Sequence, residues 1–328
     1  MSYGELHAVL QGVLTKVGMA PDRATHCASL FADASRDGVY SHGVDRFPRF
    51  VRMIRAGIVD VHARPERVGG AGTLERWDGR RGPGNLNAYE CMDRALALSR
   101  EHGVGCVALA NTNHWMRGGS YGWQAAEAGA IGICWTNTLP NLPPWGAKEP
   151  RIGNNPLVVA VPRPPGHVVL DMALSQFSVG ALARYRMRGE LLPVDGGFDS
   201  EGRLTRDPAA IETSGRLLPV GFWKGSGLSL VLDMMAALLS GGHATAQVPS
   251  LPEEETGLSQ VFVAFDVSSH CEPNEVVKVV DRIIEYTQTS ASPNEVRYPG
   301  QRTLQIRRQN LEEGIPVEPS VWDEVQRL

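Results

Sequence analysis

Ligand spacings for a metal are missing from this chain. No His-x-x-x-His pair occurs, and the five cysteines, Cys27, Cys91, Cys106, Cys134 and Cys271, include no C-x-x-C. A zinc site or a cycling dithiol needs such pairing, so neither is expected and the cysteines read as buried small apolar residues. Basic excess is missing too, since 32 Lys and Arg face 36 Asp and Glu for a net charge of −4. Nothing is in surplus to neutralise a phosphate ladder or an anionic bilayer, which argues against nucleic acid and membrane as partners. No apolar run approaches a membrane span, and the opening MSYGELHAVLQGVL carries Glu5 and His7 where a signal peptide has a basic segment and an apolar stretch. A cytoplasmic protein is expected. With 42% hydrophobic and 21% charged residues the composition is that of an ordered globular chain. Its 328 residues favour a large domain with a lobe, or two domains.

What is present begins with helix. Leu6, Val9, Leu10, Val13, Leu14 and Val17 form one stripe closed by Gly18, and Pro21 can start a second helix running toward Gly38. A third segment, Asp45 to Gly57, puts Phe47, Phe50, Val51 and Ile54 on a common face. Further helices fit 85–102, a short stretch ending at Ala128, 176–188, 225–240 and 275–289; strands fit 104–110, 131–136, 157–161, 168–172 and 260–267. The Pro-rich run 139–156 reads as a structured loop because Leu142, Trp145 and Ile152 favour burial. Strands and helices alternate without a β-α-β rhythm, so the expected class is α/β with a mixed or antiparallel sheet rather than a doubly wound one. Residues 1–70 and 290–328 are expected to form a helical lobe, and residues 71–289 an α/β core.

One dinucleotide fingerprint matches by letters, Gly103-Val-Gly-Cys-Val-Ala108, but a helix precedes it and a strand follows. The fingerprint works in the opposite order, so Gly103 reads as a helix stop. Lys224-Gly-Ser-Gly227 stands at the start of an apolar helix, where free N–H groups and an ammonium charge can hold an anion; a glycine-rich cap with a surface lysine is the plain alternative. His42 and Arg46, in Ser41-His-Gly-Val-Asp-Arg46, are four residues apart, a helical spacing that points both the same way. Arg46 then clamps the carboxylate of a 2-oxo acid while His42 donates a proton to its carbonyl oxygen, with Arg49 and Arg117 as alternative clamps. A capping His beside a solvated Arg is the rival reading. The segment Asn111 to Tyr121 follows an apolar strand and concentrates His114, Arg117, asparagines and aromatics that are costly to bury without partners. Lys148-Glu149 can be a surface ion pair, and an aspartate such as Asp171 at a strand end often only caps the next helix.

Several runs resemble the malate/L-lactate dehydrogenase-type family: Ser-His-Gly-Val-Asp-Arg at 41–46, Asn-His-Trp-Met-Arg-Gly-Gly-Ser-Tyr-Gly-Trp-Gln-Ala-Ala-Glu at 113–127, Pro-Pro-Trp-Gly-Ala-Lys-Glu at 143–149, Pro-Val-Asp-Gly-Gly-Phe-Asp at 193–199 and Trp-Lys-Gly-Ser-Gly at 223–227. The similarity spans nearly the whole chain, and the Asn-His-Trp-Met-Arg-Gly-Gly segment resembles the 2,3-diketo-L-gulonate reductase branch. That resemblance implies a homodimer and a non-Rossmann nicotinamide site for NAD(H) or NADP(H), while the missing ligand spacings argue against a metal. It also implies reduction of the 2-oxo group of 2,3-diketo-L-gulonate to 3-dehydro-L-gulonate with His42 as proton donor, alongside Arg46, His114 and Asp199. By the same resemblance Thr138, Val168, Val169, Leu170, Asp171, Met172, Ala173, Trp223, Lys224, Gly300, Gln301 and Arg302 contact the cofactor. Candidate substrate contacts are Ser41, Arg46, Arg117 and Lys148. Pro299-Gly-Gln-Arg302 departs from the family's usual residues and leaves NADH against NADPH open; Leu139-Pro-Asn-Leu142 departs from the diketogulonate branch. Malate, L-lactate or another 2-hydroxy acid is the alternative substrate, and a non-catalytic sugar-acid binder using Arg46 and Lys148 is the alternative class.

Overall fold

The computed structural model describes residues 1–290 and 295–328. Helices α1 (Tyr3–Lys16), α2 (Pro21–Arg36) and α3 (Phe47–Arg55) open the chain, followed by β1 (Glu66–Ala71), β2 (Leu74–Asp78), α4 (Gly84–His102) and β3 (Val104–Asn113). Then come α5 (Gly119–Glu127), β4 (Ala130–Thr136), β5 (Leu157–Val161), β6 (Val168–Met172), α6 (Val179–Met187), β7 (Gly197–Phe198), β8 (Leu204–Thr205) and α7 (Pro208–Ser214). The remainder is α8 (Trp223–Ser240), β9 (Thr256–Asp266), α9 (Pro273–Gln288), α10 (Gln301–Glu313) and α11 (Pro319–Arg327). No helix among the described residues is long and apolar enough to cross a membrane.

Seven strands form one sheet in the order β1-β2-β3-β9-β4-β5-β6, with β2 and β3 parallel and every other neighbouring pair antiparallel. The parallel pair is joined by α4, the crossover that parallel strands require. This is the mixed sheet expected from the sequence. Side-chain alternation along β9 separates two cores. Phe262 and Ala264 pack with α4 and α5 through Ala88, Met92, Tyr121 and Ala125, while Val261 meets Leu232 and Ala236 of α8 on the opposite face. A third core joins α1, α2 and α3 with Ile315 and with Val325 of α11, around Leu10, Phe31, Phe47 and Phe50. Gly103 does stop α4, with φ 85°, before β3 begins.

Several boundaries move for identifiable reasons. Helix α6 starts three residues later than expected because the Ser178 hydroxyl accepts from the amide of Ala181. Strand β9 starts four residues earlier, because β3 runs on to Asn113 and pairs it with Thr256. Glu66–Ala71 is a sheet strand within the otherwise helical opening segment, and the β7–β8 hairpin with α7 was not anticipated. Cys271 is exposed and Cys106 half-buried, against the expectation for both; Cys27, Cys91 and Cys134 are buried, and all five are free thiols. Leu142 and Ile152 are buried as expected, but Trp145 is exposed and packs edge-on against Phe222 instead.

The helical and sheet regions meet at one carboxylate. Asp37, 2% exposed at the C-terminal end of α2, accepts from Arg36 Nε at 2.8 Å, Arg117 Nη1 at 2.6 Å, and Arg307 Nε and Nη2 at 2.7 Å each. These arginines come from α2, the loop after β3, and α10. Burial pushes the Asp37 carboxyl up, yet the bonds to Arg307 and the charges of Arg117 and Arg36 hold it well below the usual carboxylate range. Arg307 also lies over the Trp123 ring, 4.6 Å from its centroid. Removing the carboxylate leaves three crowded cations, so Asp37→Ala is expected to cost about 3–5 kcal/mol of folding stability, read by chemical denaturation. A loss below about 1 kcal/mol contradicts this assignment.

Candidate functional site

His42 ends a short 3-10 turn, Tyr40–His42, and Arg46 ends a second, Val44–Arg46. The helical spacing argument for this pair therefore fails, because Gly43, at φ −106° and ψ −126°, breaks the turn between them. What holds the segment is close backbone approach: a Cβ on Gly43 would sit 2.2 Å from Ser35 Oγ and 3.0 Å from the Phe31 carbonyl oxygen. Ser35 Oγ in turn accepts from the amide of Val44 at 2.8 Å. Only glycine fits here, and the contact presses His42 against α2.

His42 and His114 lie ring to ring, centroids 5.8 Å apart and planes 20° from parallel. Ser41 Oγ is 3.1 Å from His42 Nδ1, and the Met116 amide donates to His114 Nδ1 at 3.0 Å, so each ring keeps Nε2 free of these contacts. The loop carrying His114 is shaped by positive φ at Asn111 and Met116 and by a tight fit against Gly84, where a Cβ would meet the Asn113 carbonyl oxygen at 2.2 Å. Burial, followed by the charges of Arg46 and Arg117, pushes the His42 imidazole down to about 4. Burial and the charges of Arg46, His42 and Arg49 push His114 down as well. Both rings are neutral at neutral pH.

Arg46 Nη2 stands 3.6 Å from Glu255 Oε2, and Glu255, 3% exposed, accepts from the Leu139 amide at 3.4 Å. Burial lowers Arg46 to about 10 and raises Glu255, each opposed by the other's charge. Glu255 was not anticipated, since Glu253-Glu254-Glu255 reads as a solvated acidic run and only the early start of β9 turns its last member inward. Asp37 was missed likewise, because an Arg-Asp-Gly sequence after a helix reads as an ordinary cap. Among the described residues no cluster of His, Cys, Asp and Glu could hold a metal ion.

Most residues expected at the cofactor gather around β6, an outer strand of the sheet. The Val169 amide donates to the Pro299 carbonyl, bringing Gly300 alongside, and Asp171 Oδ2 accepts from the Gly119 amide at 2.8 Å, just beyond the His114 loop. After β6, Leu174 bonds Asn154 and Val220, leading to α8 and its exposed first residues Trp223 and Lys224. The helix that directly follows β6 in the chain, α6, lies near Ser41: a Cβ on Gly180 would lie 3.2 Å from Ser41 Cβ. Thr138 is buried, its amide bonded to Asn155 and its hydroxyl to Asn154. Gln301 Oε1 accepts from the Tyr298 amide, and Arg302 is exposed.

Three expected residues are otherwise engaged or placed. Arg117 spends Nη1 on Asp37. Asp199 closes the β7–β8 turn, accepting from the amides of Glu201 and Arg203 and from Arg203 Nε. Lys148 is exposed beside that same turn, with its Cε 3.9 Å from where a Cβ of Gly202 would be.

The family described as Malate/L-lactate dehydrogenase matches residues 1–326. A 2,3-diketo-L-gulonate reductase of Klebsiella pneumoniae (strain 342) is 48% identical over 331 aligned positions, covering 100% of this chain and 99% of that protein. Among solved structures, sulfolactate dehydrogenase from Methanocaldococcus jannaschii superposes with a TM-score of 0.92 at 27% identity, covering 100% of this chain and 95% of that one. Malate dehydrogenase from Pyrococcus horikoshii OT3 superposes with a TM-score of 0.89 at 28% identity, covering 99% and 92%. With a stacked histidine pair beside a half-buried arginine, and with relatives named as reductases and dehydrogenases along its whole length, this chain is an oxidoreductase belonging to the malate/L-lactate dehydrogenase family.

Proposed function

We propose that the protein reduces the 2-oxo group of 2,3-diketo-L-gulonate to 3-dehydro-L-gulonate at the expense of NADH or NADPH. The observation that carries this reading is the juxtaposition of His42, His114 and Arg46, together with 48% identity to a full-length relative bearing that activity as its name. The residues around β6 fit a nicotinamide dinucleotide. Trp223 and Phe222 expose aromatic faces, 66% and 45% accessible, and exposed Lys224 at the start of α8 has no ion pair among the described residues. Asp171, Trp223, Lys224 and Gly300 would hold the dinucleotide, which when bound supplies a hydride to the 2-oxo carbon. The protein's own part is acid-base and positional. His42 Nε2 gives its proton to the carbonyl oxygen, Ser41 fixes the opposite ring nitrogen, and Arg46 places positive charge beside the substrate.

A homodimer, implied by the resemblance, is supported by the apolar face that α8 leaves exposed at Leu230, Val231, Met234 and Leu238. Free thiols throughout fit the cytoplasm. We also propose the division into a helical lobe, 1–70 with 290–328, and a core, 71–289; residues 291–294 of the lobe lie outside the described residues.

A panel of 2-oxo acids, assayed by NADH and NADPH absorbance, tests the activity, and no turnover of 2,3-diketo-L-gulonate sinks the assignment. His42→Ala should retain NADH binding while losing ~10²–10⁴-fold in turnover. Lys224→Ala should weaken the fluorescence-detected cofactor affinity well before it affects substrate KM; an unchanged dissociation constant removes Lys224 from the cofactor site. The pH profile has a definite sign. Reduction needs the imidazolium, so with His42 near 4 in the free enzyme, reductive kcat/KM should fall as pH rises through 5 to 8. Oxidation needs the neutral ring and should stay level over that range. A bound carboxylate offsets the arginine charge, so the break in reductive kcat should lie at higher pH than that in kcat/KM. A flat reductive kcat/KM from pH 5 to 8 excludes His42 as the donor.

A further inference from the structure

Arg49 lies in the first turn of α3, three residues beyond Arg46. Its Nε and Nη2 atoms are buried and have no hydrogen-bond partner in the protein. Those two atoms form the edge of a guanidinium that grips a carboxylate through two parallel bonds. The same chain shows that edge in use twice. Arg94 places Nε and Nη2 on the two oxygens of Glu75 at 3.0 and 2.7 Å, and Arg307 places them on Asp37 at 2.7 Å each. Buried donors of a charged group are rarely left unmatched, so this edge of Arg49 calls for an anion from outside the chain.

The surroundings define that anion's charge. Arg49 acts electrostatically on His114, Arg46 and Glu255, which places all four in one cluster with His42. Both imidazoles are neutral, and Arg117 is turned toward Asp37, which it shares with Arg36 and Arg307. Glu253, on the preceding turn, is exposed, and its charge reaches Arg46 and Arg49 less strongly than that of buried Glu255. Arg46 and Arg49 then face one buried carboxylate, Glu255, which offsets only part of their positive charge.

We infer that the Nε–Nη2 edge of Arg49 receives the substrate carboxylate, while Glu255 positions Arg46 beside it and trims the cluster to the charge of a 2-oxo monocarboxylate. This rests on the 2-oxo acid reading above and narrows it to acids with one carboxylate. A second carboxylate would enter the site without a countercharge, at a desolvation cost that a neutral or hydroxylated tail avoids.

The test uses binding rather than turnover. The NADH-loaded enzyme is titrated calorimetrically with oxamate, a monoanion shaped like a 2-oxo acid, and with oxalate, its near-isosteric dianion. Arg49→Ala should lose roughly 30-fold or more in oxamate affinity, as truncation of one partner in a buried charge pair does. Arg49→Lys should not restore it, because lysine lacks the two-donor edge. Glu255→Gln removes a charge that repels the dianion twice as strongly as the monoanion, so the oxalate-to-oxamate affinity ratio should rise by about tenfold. Thermal melts confirm folding, and Arg49→Lys keeps the test alive if the alanine variant does not fold. Parent-like oxamate binding in the Arg49 variants, an unchanged ratio in Glu255→Gln, or a parent that binds no oxamate overturns the inference. An enzyme that binds oxamate through Arg49 yet reduces no 2-oxo acid retains the receptor and loses the proposed reaction.

Discussion

Asp37 is the constraint on which the rest of the architecture depends. One buried carboxylate accepts from three guanidinium groups that arrive from α2, from the loop after β3 and from α10. Charge in such a place is tolerated only when every partner is present, since each cation alone would be stranded in a poorly hydrated interior. The sequence distances are telling. His42 follows Asp37 by five residues, His114 precedes Arg117 by three, and Gly300 precedes Arg307 by seven. A single ionic junction therefore sets the relative placement of both site imidazoles and of the segment bearing Gly300 to Arg302.

Around that junction the site is built by excluding volume. Gly43 lies against α2, Gly84 against the His114 loop, and Gly119 against Asp171, each so close that a Cβ would collide. Backbone thus lies hard against its neighbours where the candidate site residues are held, and positional error has little room to enter. Electrostatics supply the second element. Two neutral histidines sit in the field of several arginines, so the protonation state of the pair depends on how much of that positive charge is matched.

Much of this was legible in the sequence, for reasons that differ by element. The helices of the opening segment carry clean periodicity and the strands 157–161 and 168–172 are short β-branched-rich apolar runs, and the structure places them with at most small shifts. His42 and Arg46 stood out as an imidazole and a guanidinium four residues apart, although the helical spacing offered as the reason was wrong. The converse cases share one cause: tertiary context. Glu255 looks like one of three surface glutamates until a strand pairing pulls it inward, and Asp37 looks like a helix cap until α10, some 270 residues later, closes over it. Asp199 shows the reverse, a carboxylate in an expected motif whose oxygens are taken by its own turn. No local pattern encodes which partner a charge will find.

Strand β6 is a terminal strand of the seven-stranded sheet, and its outer side meets the chain's own C-terminal segment where the Val169 amide donates to Pro299. An outer strand of this kind, rich in Val and Leu, is a template for pairing with another copy of itself. The segment leading into α10 therefore acts as a guard on the sheet as well as a wall of the proposed nicotinamide region. Detaching it, whether by proteolysis near residue 299 or by truncation of the C-terminal helices, would uncover a bare β edge, and the first symptom would be self-association through strands rather than a weaker catalyst.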